Sequence, residues 1–328
     1  MKRHFALLAT LCLALAAQSS AAEKKDKQAE GLALIERARE LSDIRAPGSP
    51  PFRLRARVHL SDPWEGSLDG TYLFAWTSDE QWRQEIKFPN FYEVRIGKGT
   101  KVWRERNINY RPEAIHGLLE TVDLHKHLKV NPEETVQRIR ERKYKGIVLR
   151  CVELKKRPRT ERTLCTDSTG TLARTELGGL THEYSEFVSW AGKLFPGSIR
   201  VLDEGKTVRE IQVEELNGQS LEPALFTPAD EAVAREGCLD PDPPEIQEHI
   251  FPDYPGEAKR RRIQGTVSVY ALIGADGRVY NVVVLRSVDP LLAAATLQTV
   301  QRWRFNPATC GSTPVETETV IEMSFHLY

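Results

Sequence analysis

The chain has 328 residues, of which 40% are hydrophobic and 28% are charged, and its 46 basic residues balance its 46 acidic residues. This length is sufficient for two domains, and the composition is typical of soluble globular proteins. Because the formal net charge is zero, bulk electrostatics gives no reason to expect nucleic acid or an anionic membrane as a partner.

Residues 1–22 have the pattern of a secretory signal peptide. Lys2 and Arg3 form a basic start, Phe5–Ala17 is an apolar run, and small residues follow up to Ala22. The pattern predicts cleavage after Ala21 or Ala22 and export to the periplasm. The alternative is an uncleaved membrane anchor, which needs about 20 apolar residues to cross a bilayer.

The predicted mature chain contains four cysteines, which are Cys151, Cys165, Cys238 and Cys310. An even number of cysteines in an exported protein indicates disulfides, and three pairings are possible. We favour Cys151–Cys165, because both lie on neighbouring strand-like runs, together with Cys238–Cys310. Metal ligation is the competing interpretation, but the chain has no Cys-x-x-Cys spacing.

Residues 29–235 are predicted to form an antiparallel β-rich domain with a few helices. Phe52–Leu60 alternates strictly between apolar and polar residues, which is typical of a half-buried strand. Further strands are predicted at Leu68–Trp76, Gln81–Phe88, Phe91–Ile96, Lys101–Arg106, Gly146–Lys155, Thr163–Thr166, Thr171–Leu177, Thr181–Val188, Gly197–Leu202 and Thr207–Leu216. Helices are predicted at Ala29–Leu41, Pro112–His127, Pro132–Arg142 and Thr227–Arg235.

Two features of this region are similar to the lipoprotein carrier LolA and its relatives. One is a tryptophan-rich early meander with Trp64, Trp76, Trp82 and Trp103; the other is a hairpin with Cys151 and the run Cys165–Gly170. The resemblance implies a curved half-barrel that carries a lipid or lipoprotein. Residues such as Leu54, Val58, Trp76 and Trp82 would line its cavity, unless they simply fill the core.

Residues 236–250 are predicted to be a proline-rich extended linker, and 251–328 a small second domain. The second domain begins with a helix at Pro255–Arg262. A hairpin of Gln264–Ile273 and Arg278–Arg286 follows, with an Asp276–Gly277 turn. Asp289 is predicted to cap another helix, and Thr317–Leu327 forms the last strand. The predicted fold class is therefore α+β, with a large antiparallel sheet followed by a small sheet domain.

The last domain resembles the C-terminal domain of TonB. The positions that carry the resemblance are Tyr254, Pro255, Gly265, Val267, Asp276, Gly277, Val279, Ser287, Trp303, Phe305, Pro307 and Val320–Phe325. In that family a short extended segment of an outer-membrane transporter pairs with the last strand, which is β-augmentation of an exposed sheet edge. The implied partner-binding residues are Thr317, Glu318, Thr319, Val320, Ile321, Glu322, Met323, Ser324 and Phe325, with Tyr254 and Pro255 beside them. Tyr254, Trp303 and Phe305 could instead fill the core.

The sequence contains no catalytic or metal-binding motif that would indicate an enzyme or a cofactor. The favoured function is therefore a non-enzymatic periplasmic protein of transmembrane transport, which binds an outer-membrane transporter or other envelope protein by strand pairing. Two alternatives stay open. One is carriage of a lipid or lipoprotein by the N-terminal half-barrel, and the other is energy transduction by a membrane-anchored form whose leader is not cleaved.

Overall fold

The computed structural model describes residues 24–62, 66–156, 160–219, 221–248 and 250–327. The predicted signal peptide and Trp64 lie outside these residues. The chain divides into two compact units: one combines the chain up to Ser49 with Asp123–Gln212, and the other combines Pro50–Val122 with Val213–Tyr328. The domain boundaries predicted at 235/236 and 250/251 come from changes in amino-acid composition, whereas these units are defined by compactness. The predicted boundaries therefore stay a prediction.

The described helices are short apart from the first. They are α1 (24–42), α2 (Glu113–Val122), α3 (Leu124–Leu128), α4 (Gly256–Arg260) and α5 (Pro290–Val300), with a 3-10 helix at Pro223–Phe226. None of the helices in the described ranges is long and apolar enough to cross a membrane.

Strands make up most of the regular structure. They are β1 (Phe52–Asp62), β2 (Gly66–Ser78), β3 (Gln81–Phe88), β4 (Phe91–Lys98), β5 (Lys101–Arg106), β6 (Thr135–Tyr144), β7 (Ile147–Lys156), β8 (Thr160–Thr166), β9 (Leu172–Leu177), β10 (Leu180–Ser185), β11 (Val188–Trp190), β12 (Lys193–Phe195), β13 (Ser198–Asp203), β14 (Lys206–Asn217), β15 (Val233–Glu236), β16 (Glu245–Glu248), β17 (Gly265–Ile273), β18 (Val279–Arg286), β19 (Arg304–Asn306), β20 (Ala308–Cys310), β21 (Thr313–Val315) and β22 (Thr317–Phe325).

In the first unit the antiparallel strand order is β14–β13–β10–β9–β8–β7–β6. Cys151 on β7 lies directly opposite Cys165 on β8, and the two form a disulfide. This is the pairing favoured from the sequence. Both cysteines are buried and pack with Leu149, so the bridge belongs to a small buried cluster on one face of the sheet.

The helix predicted at Pro132–Arg142 is wrong, because this segment contains strand β6. Strand β6 pairs with β7, and a bulge lies between Val136 and Arg138. The bulge places Val136 and Ile139 opposite Leu154 and Val152, on the same face of the sheet although they are three residues apart. The prediction rests on Asn131 followed by Pro132, which is typical of a helix start, but here residues 132 and 133 form a turn that leads into β6.

In the second unit the antiparallel order is β15–β5–β4–β3–β2–β1–β14. The helix predicted at Thr227–Arg235 is wrong, because Val233–Glu236 extends this run by pairing with β5. Hydrogen bonds across the sheet therefore override the local helical pattern. The large antiparallel sheet is not closed, and a small sheet domain follows it, which confirms the predicted fold class.

The C-terminal part of the second unit is a three-stranded sheet in the order β18–β17–β22. Helices α4 and α5 pack with one of its faces around Trp303 and Phe305. The Asp289 side chain accepts a hydrogen bond from the Leu291 amide at 2.8 Å, which confirms the predicted helix cap. Trp303 and Phe305 are buried and therefore belong to the core.

The segment before this sheet is tied to it rather than loose. The Cys238–Cys310 disulfide, the second pairing favoured from the sequence, joins the segment to β20. Asp242 bridges Thr309, and β16 pairs with β19. The prolines keep the segment extended, and an extended segment can form these short ladders.

Candidate strand-pairing site

Strand β22 lies at the edge of the three-stranded sheet. It pairs with β17 along its whole length, from Thr317 opposite Ile273 to Phe325 opposite Gly265. No strand in the described ranges pairs with its other side. An edge strand presents alternate N–H and C=O groups that can hydrogen-bond to an added strand.

The opposite edge of this sheet, β18, is irregular. Its ladder with β17 shifts register between Ser268 and Val269 and again between Tyr270 and Leu272. Asn281 on β18 also has a left-handed backbone, with φ of 42°. Bulges of this kind interrupt the regular row of hydrogen-bonding groups that an added strand needs. The regular strand β22 is therefore the better edge for pairing.

The second half of β22 is anchored from one face and open on the other. Ile321, Met323 and Phe325 point into the core that α4 and α5 cover. Glu322 and Ser324 alternate with them and are exposed. A strand anchored on one side in this way keeps a fixed backbone, which favours addition of a partner strand at its edge.

Tyr254 and Pro255 lie near the end of β22. The Tyr254 ring meets the Phe325 ring edge-on at 5.4 Å between centroids, and the Tyr254 hydroxyl donates to the carbonyl of Ile263. Pro255 occupies the N-cap position of α4. The half-buried Tyr254 packs against the core, so its ring supports β22; contact with a partner stays a prediction.

The first half of β22 carries a feature that the sequence interpretation missed. Glu318 is 5% exposed and forms ion pairs with three arginines. Its carboxylate accepts from Arg104 at 2.6 Å, from Arg106 at 2.9 Å and from Arg111 at 3.0 Å. The Tyr270 hydroxyl donates to the same carboxylate at 2.7 Å. We call these five residues the Glu318 cluster.

Glu93 lies behind the Glu318 cluster and is 1% exposed on its side chain. It accepts from Arg106 at 2.9 Å and also pairs with Arg111. Two buried carboxylates thus share two arginines, while Arg104 also pairs with Glu316 at 2.9 Å. Charge-assisted hydrogen bonds pair the carboxylates of this group, as buried ions require, but the buried Nε of Arg111 has no hydrogen-bond partner among the described residues.

The arginines determine the protonation of Glu318. Burial alone raises the pKa of the Glu318 carboxyl, but Arg111, Arg104 and Arg106 outweigh burial and hold that pKa far below its usual range. Burial, followed by the Glu318 charge, raises the pKa of Tyr270, so its hydroxyl remains a donor at neutral pH. Burial also lowers the pKa of the neighbouring Arg95 to about 10, and Arg111 adds to that effect.

These shifts predict a loss of stability in acid. Because the pKa of Glu318 is lower in the folded chain than in the unfolded chain, its contribution is complete above about pH 4.3 and decreases as the pH falls further. Below about pH 4.3, protonation linked to Glu318 lowers the free energy of unfolding by about 1.4 kcal/mol for each pH unit. Urea denaturation between pH 3 and pH 7 should therefore show a smaller acid loss for Glu318→Gln than for the wild type.

The control for this measurement is Glu322→Gln, which replaces an exposed glutamate on the same strand. It should keep the acid slope of the wild type. Equal slopes for Glu318→Gln and the wild type would contradict the assignment of a strongly acidic carboxyl to Glu318.

The residues predicted to line a lipid cavity are buried. Leu54, Val58, Trp76 and Trp82 are each at most 5% exposed. A cavity of about 170 Å³ lies against the opposite face of β3, β4 and β5, next to the 3-10 helix. Its lining includes Arg83, Val94, Ile96, Trp103 and Glu105. The described residues contain no cluster of His, Cys, Asp or Glu that could hold a metal ion.

Residues 251–327 match the family model of the Gram-negative bacterial TonB protein C-terminal. No curated protein matches the chain. The match covers the three-stranded sheet with α4 and α5, and it includes all of β22. It indicates an envelope-associated protein, and the matched family is non-enzymatic.

Solved structures similar to this chain include a LolA superfamily protein from Nitrosomonas europaea, with 15% identity and a TM-score of 0.40 over 60% of this chain and 96% of that chain. An outer membrane lipoprotein-sorting protein domain from Vibrio parahaemolyticus has 12% identity and a TM-score of 0.40 over 59% and 95%. A DUF1329 family protein from Desulfovibrio piger has 12% identity and a TM-score of 0.42 over 61% and 97%. Because all three TM-scores are below 0.5, these structures carry no functional argument. The functional interpretation depends on the family match and on the geometry of β22.

Proposed function

We propose that this chain is a non-enzymatic periplasmic protein of transmembrane transport, and that the unpaired edge of β22 binds an extended segment of an outer-membrane transporter or another envelope protein. The observation that carries this proposal is the regular nine-residue edge strand β22 within the segment that matches the TonB C-terminal family. The predicted signal peptide and the two disulfides support export, because disulfides persist in oxidising compartments.

Strand addition fits the chemistry of this edge. Main-chain hydrogen bonds supply the affinity, and side chains that alternate along the strand supply the specificity. The exposed side chains next to an added strand are those of Glu322 and Ser324. Opposite charges on neighbouring strands stabilise pairing, so a partner segment with a basic or hydroxyl side chain opposite Glu322 would suit this edge.

Site-specific photo-crosslinking of the mature full-length chain tests the proposal. A benzoylphenylalanine residue in place of Glu322 is expected to crosslink, in cells, to an extended periplasmic segment of an outer-membrane β-barrel protein. Mass spectrometry of the crosslinked peptide identifies that segment. The expected yield exceeds that of the control several-fold, because strand pairing places the two backbones about 4.8 Å apart.

The matched control has the same residue in place of Tyr280, which is 47% exposed on the irregular edge strand β18. Crosslinks of equal yield from both edges would contradict binding at β22. The absence of any envelope protein among the products from position 322 would contradict the proposal as a whole.

No observation favours either alternative function over strand pairing. The residues that would line a lipid cavity are buried, and the observed cavity lies on the other face of the strands. A membrane-anchored energy transducer would require an uncleaved leader, and N-terminal sequencing of the mature protein tests that version. A start at Ala22 or Glu23 would rule it out.

A further inference from the structure

The face of the C-terminal sheet that points away from α5 is covered at Ser268 and Tyr270 on β17, while Glu322 and Ser324 on β22 are exposed. Ser268 and Tyr270 on this face are 2% and 1% exposed, although their side chains are polar. The Tyr270 ring meets the ring of Tyr110 at 6.2 Å between centroids. The cover is therefore the segment between β5 and α2, which belongs to the same compact unit.

Polar contacts surround this covered face. The Asn281 side chain donates to the carbonyl of Asn109, and Arg286 pairs with Glu113 at the start of α2. These contacts lie on β18, which is the edge strand opposite β22 and its Glu318 cluster. The C-terminal sheet is thus held against the end of β5 and α2 at both of its edges.

Burying the charged side chains of the Glu318 cluster between the C-terminal sheet and β5 costs desolvation free energy. Glu318, Arg106 and Arg111 each lose nearly all contact with water, at 5%, 8% and 7% exposure of their side chains. Replacing such a buried ion pair with apolar residues is often neutral or stabilising, whereas removing one partner is strongly destabilising. Buried ionic groups of this kind are best known for fixing a register or a switch between two states.

The charges around Glu318 also indicate that loss of its carboxylate would favour separation of the C-terminal sheet from β5 and α2. Arg95, Arg104, Arg106 and Arg111 contribute four positive charges beside β4 and β5. Without the Glu318 carboxylate, Glu93 is the fully buried carboxylate that still pairs with these arginines. Glu316 also pairs with Arg104, but its side chain is 18% exposed. Repulsion among the arginines would then drive them toward water, which they reach when the two surfaces separate.

We propose that Glu318 and the arginines around it form a latch that holds the C-terminal sheet closed against β5 and α2, and that this sheet can open as a body while its own core stays folded. The core that would persist is formed by α4, α5 and the other face of β17 and β22. The Cys238–Cys310 disulfide and the β15–β5 pairing keep the opened sheet attached to the rest of the chain.

Opening has a consequence that rests on the proposed strand-pairing function. In the closed state the first residues of β22, from Thr317 to Val320, are half-buried, and exposed side chains appear only from Glu322 onward. An opened latch would make the whole of β22 available to a partner strand. The latch would therefore regulate the length of edge that a partner can bind.

Amide hydrogen exchange of the full-length chain, without any partner, tests the latch itself. In Glu318→Gln, peptides from α2 and β18 are expected to exchange at least about tenfold faster than in the wild type, because a buried pair loses one member. Helix α2 is short and depends on packing for its stability, so its amides report the separation. Amides of Ile321–Phe325 should keep their protection, because their core stays intact.

Two further variants complete the test. Arg104→Gln removes the β5 partner of the same ion pair and should accelerate exchange in the same peptides. Arg104 is chosen because it is 21% exposed and tolerates replacement better than the fully buried members. Glu322→Gln should leave α2 and β18 unchanged. Unchanged exchange in both latch variants would overturn the proposal, and so would loss of protection along Ile321–Phe325, which would show that Glu318 only supports its own strand.

The link to partner binding has a separate readout. If the latch regulates β22, Glu318→Gln should also raise the crosslinking yield from position 322 several-fold in cells. Faster exchange in α2 together with an unchanged yield would retain the latch and reject its role in binding. Absence of crosslinks in every variant would instead reject the strand-pairing function.

Discussion

Replacing Trp303 with alanine is expected to lower the free energy of unfolding by about 3–5 kcal/mol, the usual cost of removing a buried aromatic side chain. Trp303 is 3% exposed, packs beside Phe305 and donates from its ring nitrogen to the carbonyl of Ile250 at 2.8 Å. The substitution removes all of these contacts and leaves the Ile250 carbonyl without this donor. A typical domain is stable by only about 5–15 kcal/mol, so the C-terminal sheet should unfold under mild conditions.

The measurement is urea denaturation followed by hydrogen exchange in β17 and β22. Arg302→Ala is the control, because Arg302 is the exposed neighbour of Trp303 on the same turn. It should change stability by less than about 0.5 kcal/mol. If Trp303 were mainly a partner contact, Trp303→Ala would keep the wild-type stability and reduce only the crosslinking yield from position 322.

The C-terminal sheet could be predicted from the sequence because its signals are local. The Asp276–Gly277 pair predicts the turn between β17 and β18, and Asp289 followed by Pro290 predicts the start of α5. Each signal involves residues that are adjacent in the chain. The structure places the turn and the helix cap where these residues predict them.

The errors and omissions have a different physical origin. Asn131 followed by Pro132 predicts a helix start, but the pairing of β6 with β7 across the sheet makes the segment after it a strand. The Glu318 cluster joins Arg104 to Glu318 across 214 positions of the chain. The pattern Arg104-x-Arg106 does show that two arginines share one face of β5, but a single sequence does not show which carboxylate meets them. Long-range contacts of this kind therefore required the structure.

Replacing Gly277 with alanine is expected to destabilise the C-terminal sheet by about 3 kcal/mol or more, because the substitution combines two costs. Gly277 has a φ of 75°, a conformation that costs other residues about 1–2 kcal/mol. An added Cβ would also lie 2.0 Å from the carbonyl oxygen of Phe305, so the backbone must move. That movement would strain the hydrogen bond from the Phe305 amide to the Gly277 carbonyl, which measures 2.9 Å.

Gly311→Ala separates the two costs of Gly277→Ala. Gly311 lies in the same sheet domain with a φ of 62°, but an added Cβ there meets no atom within 4 Å. Its alanine variant should therefore show only the conformational cost of about 1–2 kcal/mol in urea denaturation. The difference between the two variants measures how firmly β19 is held against the turn. Equal losses would mean that β19 moves freely, which would contradict the close packing of Phe305 in the core.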